Sequence, residues 1–358
     1  MKICYFADAE SIHVIRWCKH FASLGHEVHL ISFKNAQIEN VTTHFISTGD
    51  IAVSGGNWKV LLQFREVKTL LKNINPDIFH AHYATSYGIT GALCGFHPYI
   101  ITALGSDVLI SPKRSLIYRL LLKYAFSKAD WITSMADHMR NAIIEMGVSP
   151  SKTDTVPFGI DPKIFNDTSR AVPEGKFVIT STRNFEPVYN IPHLINAVAM
   201  IKDQIPGLQL NMIGAGSQRK EVEALVKEKG LEDLVTFFGK VPQPEIAKTL
   251  NASHLFISVS LSDGNNISLN EAMACGAVCI ATDIPANTQW IEDGKNGFLV
   301  KIDDVKELAD KIVNSYSNFE SIRQKAEPVN KKIIAERAIW ENNMRVVEKK
   351  YKSLTEKK

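Results

Sequence analysis

Short apolar runs of strand length recur along this chain, each followed by a segment with helical spacing, and the series occurs twice with a break between. That alternation constrains the fold more than any other feature. Strands separated by helices pair in parallel, and the helices then cover both faces of the sheet. In the first series Lys2–Ala7, Glu27–Phe33, Asp77–His80, Tyr99–Ala103, Trp131–Ser134 and Thr153–Val156 read as strands. Ser11–Leu24, Trp58–Asn73 and Tyr87–Cys94 read as helices, with Gly25 and Asn75-Pro76 as stops. From Val156 to Gly175 the pattern lapses into Pro157, Gly159, Pro162 and Pro173, which we read as an interdomain linker. The second series has strands at Lys176–Ser181, Leu208–Ile213, Leu234–Phe238, Leu255–Val259, Ala277–Ala281 and Phe298–Val300. The expected fold class is therefore α/β, with two doubly wound, Rossmann-like domains at 1–160 and 175–330. Asn330–Lys358 reads as one long helix whose stripe of Trp340, Met344, Val347 and Tyr351 packs back on the first domain.

Length and charge agree with this division. A chain of 358 residues exceeds what one hydrophobic core usually serves. A formal charge of +3 argues against a nucleic acid partner held by a broad basic face. No stretch approaches the ~20 apolar residues of a spanning helix, and Asp8 and Glu10 interrupt the first apolar run too early for a signal peptide. Cys4, Cys18, Cys94, Cys275 and Cys279 form no CxxC pair, and Cys4 and Cys279 sit inside strands. Buried reduced thiols and a cytoplasmic location follow as expectations.

The segment Ser260–Val300 carries the most chemistry. Asp263 and Glu271 are separated by seven residues, with a Gly264-Asn265-Asn266 turn and a helix start at Ile267-Ser268. Such a start presents backbone N–H groups and a positive dipole end to a diphosphate. Glu271, a turn further in, can accept hydrogen bonds from a ribose diol, and Asp263 from sugar hydroxyls. Gly214-Ala215-Gly216 and Gly239-Lys240-Val241 are glycine turns at the carboxyl edge of the sheet, where such folds bind ligands. Arg183 follows the first strand of the second series, and its permanently charged fork suits phosphate oxygens.

With Glu271-Ala272-Met273-Ala274-Cys275-Gly276 and Gly294-Lys295-Asn296-Gly297-Phe298-Leu299-Val300, this segment resembles the acidic signature of the retaining GT-B glycosyltransferases of group 1, family 4. The resemblance spans nearly the whole chain and is densest from Arg183 to Val300. It departs from the family pattern at Asp263, which stands where a glutamate is usual, and at Tyr189, which stands where a lysine is usual. It implies two domains facing a central cleft, a nucleotide-sugar donor on the second, a glycan or lipid-linked acceptor on the first, and no cofactor or bound metal. No Asp-x-Asp is positioned to hold a metal, and Asp303-Asp304, past the last strand, reads as a helix cap. Arg183 would reach the diphosphate, Glu271 the ribose, and Asp263 with Gly264, Asn265, Asn266, Ile267 and Ser268 the sugar. Gly214 would contact the donor, and the loop of Gly239, Lys240 and Val241 would cup the base. In the first domain Asp8–His13 replaces a Gly-Gly loop, His82 would face the cleft, and Asp107 would come near the reacting sugar carbon. Catalytic roles are thus expected for Asp107, His82, Arg183 and Asp263, and a structural one for His80.

Lys113, Arg114, Arg119, Lys123 and Lys128 occur in 111–129 without an acid, interleaved with Leu116, Ile117, Leu120, Leu121, Tyr124 and Phe126. We expect a core helix with a basic solvated face there, ahead of peripheral contact with the inner face of a membrane. The expected activity is sugar transfer in cell-surface polysaccharide or glycolipid assembly. A sugar-nucleotide epimerase or phosphorylase on the same scaffold, and a non-catalytic nucleotide- or glycan-binding member, stand as alternatives.

Overall fold

The computed structural model describes residues 1–48 and 58–356, which divide into two compact units, Met1–Val156 with Met344–Lys358 and Pro157–Asn343. The first is built on β1 (Lys2–Phe6), β2 (Glu27–Ser32), β3 (Thr42–Phe45), β4 (Ile78–His82), β5 (Tyr99–Ala103), β6 (Trp131–Ser134) and β7 (Thr153–Thr155). Their order is β3-β2-β1-β4-β5-β6-β7, and every pairing is parallel. β4, β5 and β6 are buried along their whole length because helices cover both faces. The edge strand β3 is half-exposed throughout. Its sequence Thr-Thr-His-Phe has no apolar run, so periodicity gave no sign of it. Trp58–Gln63 is a 3-10 turn leading into the helix Phe64–Ile74, rather than one continuous helix. Likewise Ala84–Gly88 is a π turn ahead of the helix Ile89–Leu93, so the expected helix begins earlier and differently wound.

The second unit repeats the scheme with β8 (Phe177–Ser181), β9 (Leu208–Ile213), β10 (Val235–Gly239), β11 (Leu255–Ser258), β12 (Val278–Thr282) and β13 (Phe298–Val300). The order is β10-β9-β8-β11-β12-β13, again all parallel. In each unit the chain builds outward from a central strand one way and then the other. The order therefore reverses between β1 and β4 and between β8 and β11, and at such points a crevice opens beyond the strands' carboxyl ends.

The stretch read as a linker is part of the second unit's core. Ile160 and Phe165 are buried beside Leu250, Phe256 and Met273, and Arg170 donates to the carbonyls of Ser253 and Cys275 at 2.8 and 3.1 Å. Gly159 has φ +74°, and a Cβ there would lie 2.7 Å from the Ala338 carbonyl oxygen. Only glycine permits that approach, which lets Ile160 N–H donate to Ala338 O and Trp340 N–H to Ile160 O. The same bridge interrupts the terminal helix. Instead of one helix from Asn330 there are two, Phe319–Arg337 and Trp340–Thr355, and the first-unit portion starts at Met344. Lys357 and Lys358 of the expected helix lie outside the described residues. Met344, Val347 and Tyr351 are fully buried, each contributing about 1.5–3 kcal/mol by transfer from water.

All five cysteines are buried and unpaired. No helix among the described residues is long and apolar enough to cross a membrane.

Candidate functional site

The reversal point of the second sheet brings together residues from the ends of β8, β11 and β12. Arg183 follows β8 and is almost fully buried. One guanidinium Nη donates to Asn266 Oδ1 at 3.0 Å and the other to Asp263 Oδ2 at 2.6 Å. The Tyr189 ring lies across the guanidinium face, 4.2 Å from Cζ to centroid. Of the five N–H bonds on the fork, two are thus used, and Nε–H is buried without a partner. A permanent cation is held in one rotamer by an anion, an amide and a ring, with donors to spare. At the position where the resembled pattern has a lysine, this chain places an aromatic support under Arg183.

Asn266 is the hub of a buried network. It caps the helix Ile267–Ala274, its Oδ1 accepting from Leu269 N–H at 3.2 Å as well as from Arg183. Its Nδ2 donates to Ser258 Oγ and Asn287 Oδ1, and Asn287 in turn donates to Thr282 O. The Asn266 side chain is therefore fully occupied by protein. That side chain holds the turn and Arg183 in place. Asn265 likewise spends Oδ1 on Trp290 Nε1, at 2.9 Å, and Gln289. Asp263 accepts from Asn265 N–H besides Arg183, so its free valence toward a sugar is smaller than the sequence suggested. Gly264, Ile267 and Ser268 remain half-exposed; of the first-turn N–H groups, that of Ile267 donates to Asn265 O and that of Leu269 to Asn266, which leaves Ser268 N–H open. Glu271 stands one turn in, 8% exposed.

The glycine turns are explained by crowding. A Cβ on Gly214 would lie 2.6 Å from Arg183 O, and one on Gly216 2.3 Å from Phe185 O. The loops after β8 and β9 are thereby zipped together, with Phe185 N–H donating to Ala215 O and Ser217 to both Glu186 oxygens. Gly239, at φ +70°, accepts from Gly214 N–H and ends β10, with Lys240 exposed and Val241 half-buried beyond it.

At the reversal point of the first sheet the chemistry is different. Tyr83, directly after β4, has φ 79°, a strained value for a tyrosine, and the π turn follows it. Asp107 ties this loop to the end of β5: its oxygens accept from Ala84 N–H at 2.7 Å, Gly105 N–H at 2.8 Å and Leu104 N–H at 3.2 Å. Burial raises its pKa, and those same N–H groups pull the other way. With no exposed surface and its oxygens engaged by backbone N–H groups, Asp107 positions these loops. His80 hydrogen-bonds to Tyr351 Oη and Thr102 Oγ1, joining β4 and β5 to the terminal helix, as its structural reading predicts. His82 packs edge-on against Trp17, 4.8 Å between centroids, and both its ring nitrogens are buried without partners. Desolvation, with help from His13, pushes its pKa down to about 3. It is a neutral imidazole at physiological pH and no proton donor there.

Sequence reasoning missed Asn287, Thr282 and the stacking role of Tyr189. Asn287 lies in Pro285–Thr288, where nothing in the local pattern signals that its amide closes a network 21 residues from Asn266. Among the described residues, no three His, Cys, Asp or Glu side chains gather as a metal set. Asp304 caps the helix Val305–Ser317 through Glu307 N–H, as expected.

The family model described as "Glycosyl transferase 4-like" matches residues 2–136, and "Glycosyl transferases group 1" matches 163–330. The N-acetyl-alpha-D-glucosaminyl L-malate synthase of Bacillus anthracis is 26% identical over 327 residues, covering 86% of this chain and 84% of that protein. The putative colanic acid biosynthesis glycosyltransferase WcaL of Salmonella typhimurium is 24% identical, over 65% of this chain and 60% of its own length. Among solved structures, sucrose-phosphate synthase from Thermosynechococcus elongatus superposes with a TM-score of 0.85 at 18% identity, over the whole of both chains. Anabaena HepE in complex with UDP-glucose gives 0.77 at 18% identity, over 99% of this chain and all of the other. At such identity these structures speak to fold alone. With the two models matching one unit each and the turn, helix and acids of the signature assembled at one sheet edge, the chain belongs to the group 1 glycosyltransferases, enzymes of GT-B fold.

Proposed function

We propose that this enzyme transfers a sugar with retention of anomeric configuration from a uridine-nucleotide donor to a glycan or lipid-linked acceptor in surface polysaccharide or glycolipid assembly. The reading rests chiefly on Arg183, an immobilised cation with unused N–H donors beside the start of the helix Ile267–Ala274. In this scheme the diphosphate meets Arg183 and the positive end of the helix at Ser268 N–H, Glu271 takes the ribose, and Asp263 with the turn at Gly264 takes the sugar. The loop at Gly239, Lys240 and Val241 receives the base. As the glycosidic bond breaks, negative charge grows on the leaving diphosphate. A preorganised fork and dipole stabilise that charge without reorganisation, so no metal is required for this step. HepE, which shares the fold, is seen in complex with UDP-glucose, so a uridine donor is the first to test; the pathway is favoured by likeness to WcaL.

A thermal-shift screen against UDP-, GDP- and ADP-sugars tests the donor, since a ligand of the native state raises its melting temperature. A shift with UDP-sugars, and transfer that persists in EDTA with a product of unchanged anomeric configuration by NMR, is expected. Glu271→Ala should nearly abolish transfer. Wild-type turnover in that variant would overturn the assignment.

A further inference from the structure

The helix Leu116–Lys128 in the first unit buries only Leu122, Ala125 and Phe126. On its other side Leu116 is 71% exposed, Ile117 70%, Leu120 58% and Tyr124 39%. Residues at these spacings, four apart with one neighbour, share a face of a helix. The basic solvated face expected from sequence is thus a basic face with an apolar stripe through it. Lys113, Arg114, Arg119, Lys123 and Lys128 are all exposed around that stripe, and no acid occurs in 111–129. Lys128 Nζ sits 5.7 Å above the Tyr124 ring. A groove of about 480 Å³ opens beside the helix, lined by Val108, Pro112, Lys113, Leu116, Arg119 and, from the helix Asp137–Glu145, the acid Glu145.

We propose that this face docks on an anionic bilayer surface. The stripe of Leu116, Ile117, Leu120 and Tyr124 enters the boundary between headgroups and acyl chains, the ring of cations pairs with lipid phosphates, and the mouth of the groove between Lys113 and Arg119 takes a headgroup. Charge selects this occupant. Protein interfaces deplete lysine and surround an apolar centre with a mixed polar rim, whereas here the exposed rim contributed by 111–129 is wholly cationic. The small net charge of the chain makes that concentration local rather than a consequence of a basic protein. The proposal does not depend on the chemistry catalysed, because binding to vesicles is measured without turnover.

The test is flotation of the full chain with vesicles of phosphatidylcholine alone and of phosphatidylcholine with phosphatidylglycerol. Binding to the anionic vesicles only, weakened by high salt, is expected. The double variant Leu116→Glu, Leu120→Glu should lose it, while circular dichroism and the donor thermal shift stay as in the wild type. In Arg119→Gln, Lys123→Gln, which spares the apolar stripe, partitioning should fall about fivefold for each cation removed. No binding, equal binding to both vesicle types, or undiminished binding by both variants would overturn the proposal. So would a wild-type dimer on size-exclusion chromatography that the leucine variant converts to monomer, since a second copy would then cover the stripe.

Discussion

The two units use one architecture and load its reversal points differently. In the second, a permanent cation, an anion and a capping amide form an exposed-edged cluster: Arg183, Asp263 and Asn266, braced by Tyr189. In the first, the corresponding place holds two neutral histidines and a carboxylate whose oxygens are taken by backbone N–H groups. A doubly wound sheet supplies only the crevice. Whether that crevice binds a charged ligand depends on whether its polar side chains keep donors to spare or spend them on the protein.

That contrast breaks most sharply at Arg183. Removing a preorganised charge-stabilising donor costs roughly 10²–10³ in kcat, so Arg183→Ala should lose that much in transfer with the first unit's stability unchanged. Arg183→Lys, which keeps the charge and loses the fork, should recover only part of it. Steady-state kinetics beside urea denaturation would show the split, and loss of stability in place of turnover would reduce Arg183 to a structural residue.

At Asp107 the opposite pattern is expected. Asp107→Ala strands the buried N–H groups of Ala84 and Gly105, each costing about 1–3 kcal/mol when unsatisfied, and the part-buried one of Leu104. Its urea midpoint should therefore fall, while the thermal shift produced by donor persists in whatever fraction stays folded. A variant as stable as the wild type but without turnover would place Asp107 in the catalytic set.

The smallest effect sharpens the role of Tyr189. A cation–π contact of partly desolvated type is worth about 0.5–2 kcal/mol, so Tyr189→Ala should weaken donor use by roughly 2–30-fold. Tyr189→Phe should keep the stack and most of the activity. If the phenylalanine variant is as impaired as the alanine one, the hydroxyl rather than the ring face is what matters.

Much of this molecule was legible before any coordinates. Twelve of the thirteen strands among the described residues were anticipated to within two residues at either end, because buried parallel strands read as continuous apolar runs. The missing one, β3, is a half-exposed edge with no such run. The donor signature was legible too, since Asp263, the turn and Glu271 lie close together in sequence. Illegible were the contacts between distant segments. Gly159 against Ala338 turned a supposed linker into core and split the terminal helix, and neither end announces the other. The direction in which the basic helix faces was equally hidden, because its apolar residues ring most of its circumference and periodicity cannot say which of them the neighbouring helices cover.

Local order along the chain determined what this protein is made of: alternating strands and helices, two reversal points, and a glycine-asparagine turn leading into a helix with a glutamate one turn on. Those features depend on neighbours in sequence, through hydrogen bonds and side-chain periodicity that span a few residues. Tertiary structure decided which polar groups stay free. Asn266 and Asp107 were consumed by packing, Arg183 was braced by a tyrosine from the next turn, and a basic helix was left with leucines in water. The reason is that a donor or acceptor has only so many hydrogen bonds to give, and how many are already spent depends on what the fold brings alongside it.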